Sequence, residues 1–268
     1  MQPSHDPALA SVQRETPVIE AAGVVKAFGG LRAVDGMSLS LKPGEMVALI
    51  GPNGAGKTTM FNLIAGSLRP DEGSIRVGGF DVGREGPERR IGRGVGRTFQ
   101  IPRPFAEMSV LENVLTGAQA QAGERIWTNF LAPRRVAAQE RAAVDKARHL
   151  LAFVTLDRLE LEPARILSGG QRKLLELARV MMADPKVILL DEPAAGVNPV
   201  LLELLIDRIV ALNAAGKTIL LIEHNMDMVA RLCGRAVVMA AGRLLAEGPP
   251  AEIARDPAVI GAYLGDLA

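Results

Sequence analysis

The sequence predicts an α/β fold built on a mostly parallel sheet, with an N-terminal antiparallel β-subdomain and an inserted α-helical subdomain. Three observations predict it. The apolar run Met46-Val47-Ala48-Leu49-Ile50 leads into a glycine-rich loop at 51–58, and a helix-like stretch follows from Thr59. From Lys186 onward the pattern alternates strand, helix, strand, helix, which argues for parallel strands covered by helices. Between these blocks, residues 109–155 are rich in Ala, Leu, Glu, Gln and Arg and favour helix.

In chain order, residues 1–16 are polar and irregular without an apolar h-region, and read as a flexible tail rather than a signal peptide. Residues 17–50 alternate and carry turn signals at Gly29-Gly30 and Pro43-Gly44, as antiparallel strands do. Ile75-Arg76-Val77, Gly78-Gly79 and Phe80-Asp81-Val82 read as a hairpin. Within 109–155, Gly123 and Pro133 bracket a short irregular piece holding Trp127. Strands are expected at 187–191, 218–223, 235–240 and 243–247, with helices at 199–215 and 225–232. The expected division is a core at 17–95 and 185–268, and a helical subdomain at 96–184.

Composition narrows the function classes. The chain has 268 residues, enough for a sizeable core. Lys and Arg number 31 against 30 Asp and Glu, so no net charge favours nucleic acid. Arg84, Arg89, Arg90, Arg93, Arg97 and Arg103 cluster, but only Phe99 supplies an interleaved aromatic, so they read as a solvated or partner-facing surface. The single cysteine, Cys233, excludes an internal disulfide and reads as a small buried thiol. No uninterrupted apolar run approaches the roughly 20 residues of a spanning helix, so a membrane role must come through a partner.

The chemistry lies in five motifs. Gly51-Pro52-Asn53-Gly54-Ala55-Gly56-Lys57-Thr58 is a complete G-x-x-x-x-G-K-[ST] loop in strand–loop–helix context, the mark of a phosphate-loop NTPase core. Its glycines let backbone N–H groups wrap a polyphosphate at a helix N-terminus. Lys57 would reach the β- and γ-phosphates, and the Thr58 hydroxyl would ligate Mg²⁺. Val187-Ile188-Leu189-Leu190-Asp191-Glu192 is a buried-type strand ending in two carboxylates, at the end where open α/β sheets place ligands. Asp191 suits the Mg²⁺ shell, through water, and Glu192 suits a general base. Leu167-Ser168-Gly169-Gly170-Gln171 opens a helix at Arg172–Met182, with Ser168 as N-cap and backbone N–H groups free for a second anion. Ile219-Leu220-Leu221-Ile222-Glu223-His224 ends a strand in a histidine within plausible reach of a γ-phosphate. Thr98-Phe99-Gln100 closes a short strand, and Gln100 can contact Mg²⁺ or the attacking water.

Phosphate loop, Gln100, LSGGQ at 167–171, Asp191-Glu192 and His224, in this order, resemble the ATP-binding subunit of an ABC (ATP-binding cassette) transporter from about Val18 to the C-terminus. The resemblance implies ATP and Mg²⁺ as ligands and a head-to-tail dimer with a second ATPase subunit, itself or a paralogue. It implies that Ser168 and Gly170 face the nucleotide of the partner subunit, and that Phe28 stacks on adenine. Thr59 follows the loop as part of the nucleotide-binding set. Gly96-Arg97-Thr98-Phe99-Gln100, Met108–Val114, Asp191–Pro199, Ile222–Met226 and Ala262-Tyr263-Leu264-Gly265 resemble more closely the branched-chain amino-acid importer (LivG-like) group. Asn198, where many ABC proteins carry aspartate, is usual in that group; residues 167–171 follow the general ABC form rather than the diverged signature often found there. The implied setting is the cytoplasmic face of a membrane, on transmembrane permease subunits served by an extracytoplasmic solute-binding protein. Movement at Gln100, Pro102 and Pro104 would carry closure to a permease seated near 84–115. Related systems move urea, amides and aromatic acids. An exporter ATPase, a soluble ABC ATPase acting on DNA or ribosomes, and a metabolic phosphate-loop kinase are the competing readings. The kinase leaves LSGGQ unexplained, and the soluble type usually carries two cassettes or a long coiled coil.

Overall fold

A computed structural model describes residues 16–121, 123 and 132–264. The N-terminal tail expected at 1–16, all but its last residue, lies outside them, as do Trp127 and Gly265.

Two sheets organise the chain. β1 (Ile19–Phe28) and β2 (Leu31–Leu41) pair antiparallel, and β1 also pairs antiparallel with β4 (Glu72–Val77), whose hairpin partner is β5 (Phe80–Asp81). The order is β2-β1-β4-β5. The second sheet runs β10-β9-β3-β8-β7-β6 and comprises β3 (Met46–Ile50), β6 (Val95–Arg97), β7 (Val187–Asp191), β8 (Thr218–Ile222), β9 (Arg235–Ala240) and β10 (Arg243–Gly248). All its pairings are parallel except β9 with β10. Of the 17–50 stretch, Met46–Ile50 therefore departs from the antiparallel expectation. It joins the parallel sheet because every residue of β3 is buried, and an antiparallel edge would leave one face to water.

The strand period of two splits each apolar run between two cores. Met46, Ala48 and Ile50 of β3, with Ile188 and Leu190 of β7, face a cluster filled by helices. Val47 and Leu49, with Val187 and Leu189, face a cluster completed by the antiparallel sheet and α1 (Lys57–Ala65). A surface strand would need polar alternation; these strands need none because both faces are covered.

Helices α2 (Pro87–Gly92) and α3 (Val110–Leu115), then α4 (Pro133–Phe153) and α5 (Gly169–Met182), precede β7. α6 (Pro199–Ala214), α7 (Met226–Leu232), α8 (Pro250–Ile253) and α9 (Pro257–Leu264) complete the chain. Pro133 opens α4 at its first helical positions, where its missing N–H costs nothing, and the irregular piece expected before it lies largely outside the described residues. Ser109 and Glu112 form a capping box at α3, and Ser168 and Gln171 form one at α5. Cys233 is buried at the end of α7, and burial raises its thiol pKa to about 12. Among the described residues no helix is long and apolar enough to cross a membrane.

The arginine cluster is only in part the solvated or partner-facing surface that its sequence suggests. Arg90 is fully buried; its guanidinium donates to the carbonyls of Leu63 and Ile64 at the end of α1 and, at 2.7 Å, to Val82. Arg97 bonds Asn62 Oδ1 at 2.6 Å and Asp191 Oδ2 at 2.9 Å. Arg93 pairs with Glu85, while Arg84, Arg89 and Arg103 are exposed. Planar guanidinium forks suit several carbonyls at once, so arginines can close a gap between elements that no short side chain would span.

Candidate active site

The loop after β3 owes its shape to two glycines. Gly51 has φ 144° and Gly56 φ 95°, and a Cβ on either would lie 2.1 Å from a carbonyl oxygen, that of Met239 or of Ala33. Neither position accepts another residue without moving backbone. The loop, with Ala33, Thr59, Glu192 and His224, lines an open cavity of about 310 Å³. Asn53, Gly54 and Thr58 are exposed at its surface. Lys57 turns inward: its ammonium donates to the Gly51 and Pro52 carbonyls at 2.7 and 2.8 Å. Burial lowers its pKa, opposed by the charge of Glu192.

Glu192 stands at the centre. It follows β7 and has φ 45°, a left-handed conformation that costs a residue with a Cβ about 1 kcal/mol or more and collects at functional sites. Gln100 Nε2 donates to Glu192 Oε2 at 2.6 Å, and His224 Nε2 lies 3.3 Å from Oε1. Lys173, from α5, donates to the Glu192 carbonyl. Burial lowers the Lys173 pKa, while Glu223 and Glu176 raise it. Asp191, beside it, is buried and paired with Arg97.

Gln100 and His224 thus meet on Glu192, and Glu192, His224 and Lys57 line the cavity of the phosphate loop. Phe28, Gly51, Pro52, Gln100, Ser168, Gly170 and Asp191 are not among its lining residues. Phe28 is half-exposed at the end of β1, with the Lys26 ammonium 5.7 Å from its ring. Ser168 is exposed, and its hydroxyl caps the Gln171 N–H. Gly170 is buried; a Cβ there would meet Leu201 Cδ1 at 2.7 Å. Asn198, exposed, caps α6 through the Leu201 N–H.

Four contributors escaped sequence reasoning. Glu223 accepts the N–H groups of Ala194, His224 and Asn225, tying the loop after Glu192 to the loop of His224. Lys173 and Glu176 are charges on the buried face of α5, among Leu174 and Leu177; charge where the helical period demands apolar residues was the available signal. Tyr263, on α9, accepts the Gly51 N–H at 2.9 Å, a long-range contact with no local signature.

A phosphate loop on a parallel sheet, with a carboxylate, an amide and an imidazole converging on it, defines a nucleoside triphosphatase of the phosphate-loop type. The family model described as "ABC transporter" matches residues 34–195, and one described as "Branched-chain amino acid ATP-binding cassette transporter" matches residues 243–268. The chain is 40% identical over 248 residues to the "Probable branched-chain amino acid transport ATP-binding protein LivG" of Archaeoglobus fulgidus, covering 92% of this chain and 95% of that one. It is 41% identical to the "High-affinity branched-chain amino acid transport ATP-binding protein LivG" of Escherichia coli K12, covering 93% and 98%. A crystal structure of a nucleotide-free ATP-binding cassette from an ABC transporter superposes with a TM-score of 0.81 at 37% identity, covering 92% and 98%. A crystal structure of the ADP conformation of an ATP-binding cassette of an ABC transporter gives 0.79 at 36%, covering 93% and 99%. The chain belongs to the ABC transporter family as an ATP-binding, ATP-hydrolysing subunit. The family resemblance read from the sequence is thereby borne out.

Proposed function

We propose that this chain hydrolyses ATP at the cytoplasmic face of a membrane to drive uptake of branched-chain amino acids or related small polar solutes. Permease subunits would carry the solute, delivered by an extracytoplasmic binding protein. The substrate class rests on the printed functions of relatives about 40% identical over nearly the whole chain, and on the match at residues 243–268.

The observation that carries the hydrolytic reading is the meeting of Gln100 and His224 on Glu192 at the phosphate-loop cavity. The cavity suits a triphosphate: the phosphate loop lines it at the N-terminus of α1, and Thr58 is exposed there. Lys57 exchanges the Gly51 and Pro52 carbonyls for phosphate oxygens. Phe28 offers its exposed ring to the base. Mg²⁺, when bound, would supply charge neutralisation on the phosphates; Thr58, on the cavity, and Gln100, beside Glu192, would hold it, with Asp191, buried and paired with Arg97, reaching it through water. Glu192 orients the attacking water and accepts its proton, and His224 donates toward the γ-phosphate. Catalysis is positioning and charge stabilisation. Ser168 and Gly170 of a second ATPase subunit close the site, which accounts for their standing outside the cavity of a single chain.

A second opening, of about 570 Å³, fits the permease. Phe99, Ile101, Arg103, Gln119 and Arg179 line it, and Gln100 lies on its rim as well as on Glu192. A segment seated there would move Gln100 directly.

Two experiments test this reading. Glu192→Gln should keep ATP binding and lose turnover by 10²-fold or more, as removal of a general base does; wild-type hydrolysis would remove Glu192 from that role. The tagged chain, purified from detergent-solubilised native membranes, should bring multi-span proteins and an ATPase subunit identifiable by mass spectrometry. Recovery with ribosomes or DNA alone would reject the transporter assembly.

A further inference from the structure

The steps above make no use of Glu176, although the residue is only 6% exposed and lines the larger opening. Its Oε1 accepts the backbone N–H of Phe99 at 2.7 Å. Phe99 immediately precedes Gln100. The segment leaving β6 is held by Arg97 on Asn62 and Asp191, the Thr98 N–H on the Leu189 carbonyl, the Phe99 N–H on Glu176, and the Gln100 amide on Glu192. Of these contacts, the one from Phe99 runs to α5, the helix that Ser168 opens. Glu176 also lines the larger opening, beside Phe99 and Arg179.

We propose that Glu176 is a positioning residue for hydrolysis: it fastens the Phe99 peptide to α5, sets where Gln100 stands against Glu192, and makes turnover sensitive to protons. The proposal rests on the roles given above to Gln100 and Glu192. A neutral side chain would satisfy the Phe99 N–H, and an apolar one would suit the buried face of α5 better. An ionisable acceptor at this point makes the strength of the latch adjustable.

Burial raises the Glu176 pKa to about 7, and Asp191 of β7 adds to that; the Phe99 N–H and Arg179 and Lys173 of α5 oppose it. Arg97 of β6 lines the same opening. Above pH 7 the carboxylate is charged and grips the N–H. As pH falls through 7 it becomes neutral, the charge-assisted bond weakens, and Gln100 loses its fixed position.

The test is steady-state ATP hydrolysis by the full chain between pH 5.5 and 8.5, comparing wild type, Glu176→Gln, Gln100→Ala and the double variant. Glu176→Gln keeps size and an acceptor oxygen but cannot ionise. It should lower kcat about fivefold at pH 8, as expected for the change from a charged to a neutral acceptor, with KM for ATP unchanged. It should also abolish the ionisation near pH 7 in the kcat profile. In the Gln100→Ala background the same substitution should have no further effect, since the latch acts only through that side chain. Wild-type kcat and pH profile in Glu176→Gln, or an equal loss with and without Gln100, would overturn the proposal. If Glu176→Gln does not fold, the wild-type ionisation near pH 7 persisting in Gln100→Ala overturns it equally. Wild-type turnover in Gln100→Ala would instead refute the role of Gln100 itself, and Glu176 would lose its function with it.

Discussion

Replacing Arg90 should unfasten the end of α1 from the segment that follows β5. The residue reads as one of six clustered cations, yet it is fully buried and donates to three backbone carbonyls. Two of them, of Leu63 and Ile64, belong to the last turn of α1, whose first residue is Lys57. They are among the carbonyls that an α-helix leaves without intrahelical partners, and a cation there also complements the helix dipole. Burial lowers the Arg90 pKa to about 10, so the guanidinium keeps its charge at neutral pH. Arg90→Met fills most of the stem volume and removes every donor. Hydrogen bonds to charged groups contribute about 1.5–3 kcal/mol each, but the bonds share one side chain, and water recovers part of the loss at the end of a helix. The expected destabilisation is about 3–5 kcal/mol, since three backbone carbonyls lose their donor at about 1–3 kcal/mol each and water recovers part of that. In a chain of this size that is a fall in Tm of about 6–20 °C. Urea and thermal unfolding followed by far-UV circular dichroism would measure it, with the exposed Arg89→Met as control. A loss below about 1 kcal/mol, or equal to that of the control, would refute the account of Arg90 as the tie between α1 and the hairpin of β4 and β5.

Two further predictions concern the phosphate loop. Lys57→Ala removes a phosphate ligand and frees the Gly51 and Pro52 carbonyls, so ATP affinity measured by calorimetry should fall by 10-fold or more; unchanged affinity would discredit the loop as the nucleotide site. Tyr263→Phe deletes only the hydroxyl that accepts the Gly51 N–H, a bond of ~1 kcal/mol, and should raise KM for ATP about fivefold with kcat nearly unchanged; a lowered kcat at constant KM would place Tyr263 in another role.

The motifs were legible because each packs chemistry into consecutive residues. The phosphate loop needs its glycines within eight positions, and Asp191 and Glu192 need a buried strand directly before them, so strand and site are read together. The 3.6-residue and two-residue periods likewise gave α5 and the strands of the parallel sheet, because burial on one face or on both leaves that trace in the sequence. Arg90, Glu176, Glu223 and Tyr263 were hidden for the opposite reason. Each acts on a backbone N–H or carbonyl of another element, and any residue supplies a backbone group. No pair of side chains in the sequence could announce the Tyr263 contact with Gly51, 212 positions away. Arg90 shows the further limit that a run of like charges carries no record of which member turns inward.

The site of the single chain satisfies its own ligand-binding groups. Lys57 holds loop carbonyls, Gln100 holds Glu192, and the Ser168 hydroxyl holds the Gln171 N–H. Nucleotide must therefore replace protein–protein bonds with protein–phosphate bonds, and only the difference between them appears as affinity. For Lys57 that difference favours phosphate, because a carbonyl dipole gives way to a full negative charge beside a partly desolvated ammonium. For Gln100 it does not. Its present partner is already a carboxylate, so ATP alone gives it little reason to move. The segment that carries Gln100 is tied to α5 through Glu176 and borders the larger opening, where an external partner would reach it. On the proposed roles, a cassette built this way binds and hydrolyses ATP on its own account, and contacts made outside the nucleotide site would tune how Gln100 stands toward Glu192.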